Sequence, residues 1–220
     1  MAAELKLAVF DMEGTLTASP TVWEIMHLKV GTWESHGQPY WHEFRAGRID
    51  YDRFARMDVA AWEGAAERLL DEAVGEVPLM PGCEELLRAL CARGIPCAII
   101  SNGLERLGLR LAREHGIAHV LANREQVQGG RLTGGLDLLV PYAGKERAMC
   151  DLAASLGIGI ENVLAVGDGV ADVGMFKRAG SSVAFMPEND AVAAQARHVV
   201  REPDLRRLLP LVERAVPARL

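Results

Sequence analysis

The sequence predicts an α/β protein: a parallel sheet covered on both faces, with a small helical subdomain inserted after its first strand. Three observations carry this. From residue 81 onward, apolar runs of strand length alternate with segments whose apolar residues recur at helical spacing. The runs are apolar throughout, as strands buried on both faces are. Residues 16–79 break the alternation, read as helical, and contain all four tryptophans. The chain has 220 residues, 50% of them apolar, enough for one core and an insertion.

In chain order, "KLAVFD" (6–11) is a strand-length apolar run ending in an acid. "PGCEELLRALCARG" (81–94) has helical spacing and stops at Gly94. "IPCAIIS" (95–101) is a strand, "GLERLGLRLAREHG" (103–116) a helix and "AHVLANRE" (118–125) a strand. "VQGGRLTGG" (127–135) sets glycine pairs beside short β-like pieces, as a hairpin does. Helix 145–157, strand 162–168, helix 171–180, strand 181–186, helix 190–196 and strand 198–200 follow, and a last helix runs from Pro203. Strands alternating with helices predict parallel pairing.

Composition removes several classes. The net charge of −6 argues against a nucleic-acid footprint, and the arginines of "REPDLRRLLPLVERAVPARL" (201–220) suit the wet face of an amphipathic helix. Cys83, Cys91, Cys97 and Cys150 lack metal-site spacing and read as reduced thiols in apolar segments. The start "MAAELKLAVFD" is too short and too soon charged for a leader, and no run approaches membrane-spanning length. The expectation is a cytoplasmic protein without a nucleic-acid or membrane partner; its oligomeric state is left open.

Ligands of open parallel sheets bind at the carboxyl ends of the strands. Those ends form a chemical set here: Asp11 and then Glu13; Ser101, Asn102 and Gly103; Asp168, with Asp172 four residues on. Lys145 opens a helix after Gly144. Alone, each has a dull explanation as a turn former, helix cap or surface lysine. Together, Asp11, Asp168 and Asp172 form an oxygen-rich site for a hard cation such as Mg²⁺. Ser101, nearby backbone N–H groups and Lys145 supply donors and positive charge for an anion. Cation, anion clamp and a spare carboxylate are the parts of phosphoryl transfer, in which an Asp can be the nucleophile.

These residues resemble the four motifs of the haloacid dehalogenase superfamily of phosphatases: "FDMEGTLT", "IISNG", the lysine of "GKERAM" and "VGDGVADVGMF", in the family's order. "LANRE", "GGRLTG" and "VGDGVADVGMFKRAG" are similar to its phosphoserine phosphatase branch. The resemblance implies a Rossmann-like parallel-sheet core (1–15 and 80–220) and a small helical cap domain (16–79). It implies Mg²⁺-dependent hydrolysis of a small-molecule phosphate ester through an aspartyl-phosphate. Asp11 would be the nucleophile and Glu13 the acid/base. Asp11, the Glu13 carbonyl and Asp168 would hold Mg²⁺, with Asp172 anchoring that shell. Ser101, Asn102, Gly103 and Lys145 would bind the phosphoryl group.

Four positions depart from the family pattern. Glu13 stands where Asp is usual, and Ala171 where Asn often precedes the last Asp. The branch is expected to place an acid soon after the first motif and an arginine in the cap, for the substrate's amino and carboxylate groups. Pro20 and Asp58 stand near those places, with Arg56 two residues from the second. "VGTWESHGQPYWHEF" offers Trp33, His36, Gln38, Tyr40, Trp41 and His42 for a sugar or cyclitol phosphate, beside a phosphoserine-like ester. The alternatives are a phosphotransferase or a non-hydrolysing phosphate-binding relic on the same fold. A phosphorelay receiver needs only half this length, and "DMEGTLT" lacks the glycine fingerprint of a dinucleotide fold.

Overall fold

The structure, a computed structural model, describes residues 4–215. Strand β1 (Leu7–Phe10) is buried at every position. Helices α1 (Val22–Val30), α2 (Gln38–Arg45), α3 (Tyr51–Ala60) and α4 (Glu67–Glu76) form the insertion. Then come α5 (Cys83–Ala92), β2 (Cys97–Leu104), α6 (Glu105–His115), β3 (His119–Gln128) and β4 (Arg131–Asp137). The chain continues through α7 (Lys145–Ser155), β5 (Val163–Gly167), α8 (Val173–Arg178), β6 (Ser181–Phe185), α9 (Asp190–Ala193), β7 (His198–Val200) and α10 (Leu209–Ala215).

The seven strands lie in the order β4-β3-β2-β1-β5-β6-β7. All pair in parallel except β3 and β4, the predicted hairpin, whose turn is Gly129–Gly130 with positive φ at both. Strand β1 is central because its residues serve two cores. Leu7 and Val9 face Ala98, Ile100, Met149 and Phe176, while Ala8 and Phe10 face Ile99, Leu86, Leu90 and Val166. That division explains why the run is apolar at every position instead of every second one.

Four of the boundaries that differ from the sequence expectation have a visible cause. Strand β2 continues to Leu104 because the Asn102 amide donates to the carbonyls of Val140 and Pro141, and Asn123 and Tyr51 donate to the Asn102 carbonyl. These contacts keep the chain extended past Ser101, and α6 starts later for the same reason. Helix α9 stops at Ala193, where the Arg197 N–H reaches Ser182 Oγ and the chain turns into β7. The last helix begins with a 3₁₀ turn at Leu205, buries Leu205, Leu208 and Val212, and leaves its arginines wet. Residues 216–220 of that segment lie outside the described residues.

The insertion joins the core where two chain crossings pair as short antiparallel strands: Met80 N–H donates to Leu16, and Ala18 N–H to Pro78. It is not wholly helical, since the stretch around Ala66 adds to the free edge of β4 through Leu132 and Gly130. This covers an edge that would otherwise stand unpaired. Trp62, Val59 and Leu70 of the insertion share one continuous apolar cluster with Leu132, Leu136 and Leu107 of the core. Cys83 and Cys97 are buried, with burial pushing both thiols up to about 12.

Candidate active site

The carboxyl ends of β1, β2 and β5 and the N-terminus of α7 converge on one point. Lys145 is 2% exposed, and its Nζ lies 2.7 Å from Asp11 Oδ1 and 2.7 Å from Asp172 Oδ1. Burial alone would lower the lysine; the charges of Asp11 and Asp172 more than reverse it, so it stays a cation. Asp172 is fully buried, and its second oxygen accepts from the N–H groups of Asp168 and Gly169 at 3.0 Å each. Its carboxylate thus fixes both the lysine and the loop that carries Asp168. Thr15 Oγ1 donates to Asp168 at 3.1 Å.

Asp11, Asp168 and Asp172 each present a carboxylate oxygen, all within 4.8 Å of one another. Three acids face one lysine, and burial with the neighbouring charges of Asp11 and Asp172 pushes Asp168 well above the usual carboxylate range. An excess of buried negative charge presented by hard oxygens fits a divalent cation of the Mg²⁺ type. Gly14 makes the approach possible. Its φ is +86°, and a Cβ there would come within 2.6 Å of Asp168 Oδ2.

Glu13 points toward the insertion. It accepts from the Val22 N–H at 3.1 Å and from Trp23 Nε1 at 2.9 Å, both at the start of α1. Burial pushes its carboxyl up to about 7, with the Trp23 and Val22 donors opposing the rise. The carboxyl lies over Gly103, whose absent side chain leaves room: a Cβ there would meet Glu13 Oε2 at 2.8 Å. Ser101 is buried beside it, accepting the Gly103 N–H. The Asn102 amide is spent on Val140 and Pro141, so it braces the segment leading to Lys145.

Every predicted core residue therefore lies in this cluster or in the strand that frames it. The insertion contributes residues that composition did not single out. Tyr51 donates from its hydroxyl to the Asn102 carbonyl at 3.3 Å and stacks on Tyr142, while Asp52 accepts from the Tyr142 N–H. Phe44, Phe54 and Trp23 continue this aromatic layer. Spacing held the clue to two of them, since Tyr51 and Phe54 are three residues apart on one helix face. Of the aromatics expected in a pocket, Trp41 joins Phe44 and Phe54, and His36 packs on Tyr40. Gln38 and His42 are exposed. A surface basin of about 770 Å³ between α4, α6 and β3 contains none of the predicted site residues. Its Arg106, Arg110 and Arg124 are already paired with carboxylates.

Comparisons with known proteins place this geometry. The family described as haloacid dehalogenase-like hydrolase matches residues 8–177. The phosphoserine phosphatase of Methanocaldococcus jannaschii is 27% identical over 214 residues, covering 97% of this chain and 100% of that enzyme. A phosphoserine phosphatase of Mycobacterium tuberculosis is 30% identical over 181 residues, 82% of this chain; the chain spans only 44% of that relative's length. Among solved structures, a phospho-aspartyl intermediate analogue of phosphoserine phosphatase superposes with a TM-score of 0.85 at 26% identity. That match covers 95% of this chain and 99% of the other.

Proposed function

The chain belongs to the haloacid dehalogenase-like hydrolases and is a phosphatase of the phosphoserine phosphatase-like kind, and we propose that it hydrolyses a small-molecule phosphate monoester with Asp11 as nucleophile. The observation that carries the reading is Lys145, bridging Asp11 and Asp172 at 2.7 Å each beside Asp168. Lys145 holds Asp11 by Oδ1, which leaves Oδ2 for attack on phosphorus. The phosphorus–oxygen bond to the alcohol breaks as the bond to Asp11 forms, and the Glu13 carboxyl passes its proton to the departing oxygen. Water then attacks the acyl phosphate, Glu13 takes the water's proton, and phosphate and free Asp11 result. A carboxyl near 7 is suited to serve both directions at neutral pH.

Asp11, the Glu13 carbonyl and Asp168 would hold Mg²⁺, with Asp172 fixing the Asp168 loop. The ion supplies charge neutralisation for the phosphoryl oxygens. Ser101, Gly103 and Lys145 would bind those oxygens, with Asn102 contributing through its main chain. Residues 16–79 serve as the cap, and the α1 contacts to Glu13 tie its position to the acid/base group.

The test is phosphate release from p-nitrophenyl phosphate and a panel of alkyl, amino-acid and sugar phosphates. It is run with Mg²⁺ and with a chelator, on the parent and on Asp11→Asn. Release by the parent with Mg²⁺ alone, abolished in the variant, is expected. Release that survives both chelation and the substitution would remove this reading.

A further inference from the structure

We propose that Asp58 selects the substrate, its buried carboxylate taking a positively charged amine on the alcohol half of the phosphate ester, between aromatic rings of α1 and α3. The inference rests on the phosphatase reading above and names the class of ester that site accepts.

Asp58 is 1% exposed and lies seven residues after Tyr51 and four after Phe54, so all three share one face of α3. Tyr51 fixes that face to the site, because its hydroxyl bonds the Asn102 carbonyl beside Ser101. The charges of Glu13, Asp11 and Asp58 all add to burial in raising the Tyr51 hydroxyl. On the facing helix, Trp23 and His27 are likewise four residues apart. Trp23 reaches Glu13 at 2.9 Å and packs on Phe54, and His27 Nε2 lies 3.1 Å from Asp58 Oδ1. From the reacting groups upward, the two helix faces therefore offer Tyr51 and Trp23, then Phe54, then Asp58 with His27.

The His27 ring is fixed from its other side by Thr32 Oγ1, 2.7 Å from Nδ1. Its Nε2 is the ring atom that faces the Asp58 carboxyl. Burial outweighs the pull of His27 and holds the Asp58 carboxyl above its ordinary range, and a ligand cation would supply the missing countercharge. Nearby arginines do not supply it. Arg56 donates to the Leu136 carbonyl, and Arg45 reaches Glu188 and the Trp41 ring. A ligand cation beside Trp23, Phe54 and Tyr51 gains from both the carboxylate and the ring faces. A ligand carboxylate at the same place meets only repulsion. A polyol is less suited, since Gln38 and His42, the hydrogen-bonding side chains that would suit it, are exposed, and His36 bonds Ser35.

The experiment compares kcat/KM, with Mg²⁺, for ethanolamine phosphate, choline phosphate, ethyl phosphate, phosphoglycolate, glucose 6-phosphate and p-nitrophenyl phosphate. The parent is expected to favour the two amine esters over ethyl phosphate by about tenfold or more and to disfavour phosphoglycolate. Asp58→Asn should bring the amine-to-ethyl ratio near one, mainly through KM. Asp58→Arg should turn the preference toward phosphoglycolate, a reversal that a purely structural role for Asp58 does not produce. If neither variant folds, the parent's own ratios decide. Turnover of p-nitrophenyl phosphate with equal use of ethanolamine and ethyl phosphate, or with glucose 6-phosphate preferred to both, overturns the inference while the phosphatase stands. No release from any ester overturns both.

Discussion

Replacing Lys145 with Met keeps most of the side chain's length and removes its charge from between two buried carboxylates. Both contacts are 2.7 Å, and the lysine is 2% exposed. Removing one partner of a buried, hydrogen-bonded ion pair costs about 3–5 kcal/mol, because the remaining charge is left unpaired. In a metal-free buffer at pH 8, a loss of that size lowers Tm by about 10 °C for a chain of this length. The loss also has a pH signature. Burial pushes Asp172 up to about 6 in the parent, with Lys145 pulling it down, so without the lysine it titrates higher still. A carboxyl whose folded value exceeds its unfolded value is at its least costly below the unfolded value and destabilises as pH rises through the folded one. The gap in Tm between parent and Lys145→Met should therefore shrink, to well under half, between pH 8 and pH 5. Thermal melts in chelator at the two pH values measure it. A gap that stays constant or widens on acidification would refute the electrostatic account of Lys145.

Three further outcomes follow from Glu13. Gly103→Ala brings a methyl to 2.8 Å from Glu13 Oε2, so kcat should fall by about tenfold or more while the melting temperature moves little, measured on any turned-over ester. Burial holds Glu13 near 7, so kcat for an alkyl ester should decline as pH rises above about 7 and the proton for the leaving oxygen is lost. Trp23→Phe removes a donor that favours the Glu13 carboxylate, and its pH–rate profile should shift upward relative to the parent's.

The core was legible because its signals are local. Strands β1, β2 and β5 must be apolar up to their carboxyl ends to lie between two helix layers, and those ends must carry the chemistry, so Asp11, Ser101 and Asp168 stood out by position alone. Gly129–Gly130 announced the hairpin by the positive φ that such a turn needs. The insertion resisted because its faces are set by long-range packing. Trp33–Gly37 forms a π-helical turn, which adds a residue per turn and defeats a 3.6-residue reading of "GTWESHGQPYW". That turn closes on Gly37, where a Cβ would strike the rings of Trp33 and His27 at 2.7–2.8 Å. Nothing in the sequence near His27 or Asp58 points to their meeting, 31 positions apart, at 3.1 Å. Similarly, the extension of β2 through Gly103 depends on Asn123, Val140 and Tyr51, contacts invisible to a local window.

The central claim is that Asp11 itself becomes phosphorylated. Rapid acid quenching of the enzyme turning over an ester with Mg²⁺, followed by mass spectrometry of the peptide containing residues 6–17, tests it most directly. The account predicts one phosphoryl group on Asp11 in the parent and none in Asp11→Asn. Phosphate released at full rate with Asp11 unmodified, or a phosphoryl group found on another residue, would contradict it.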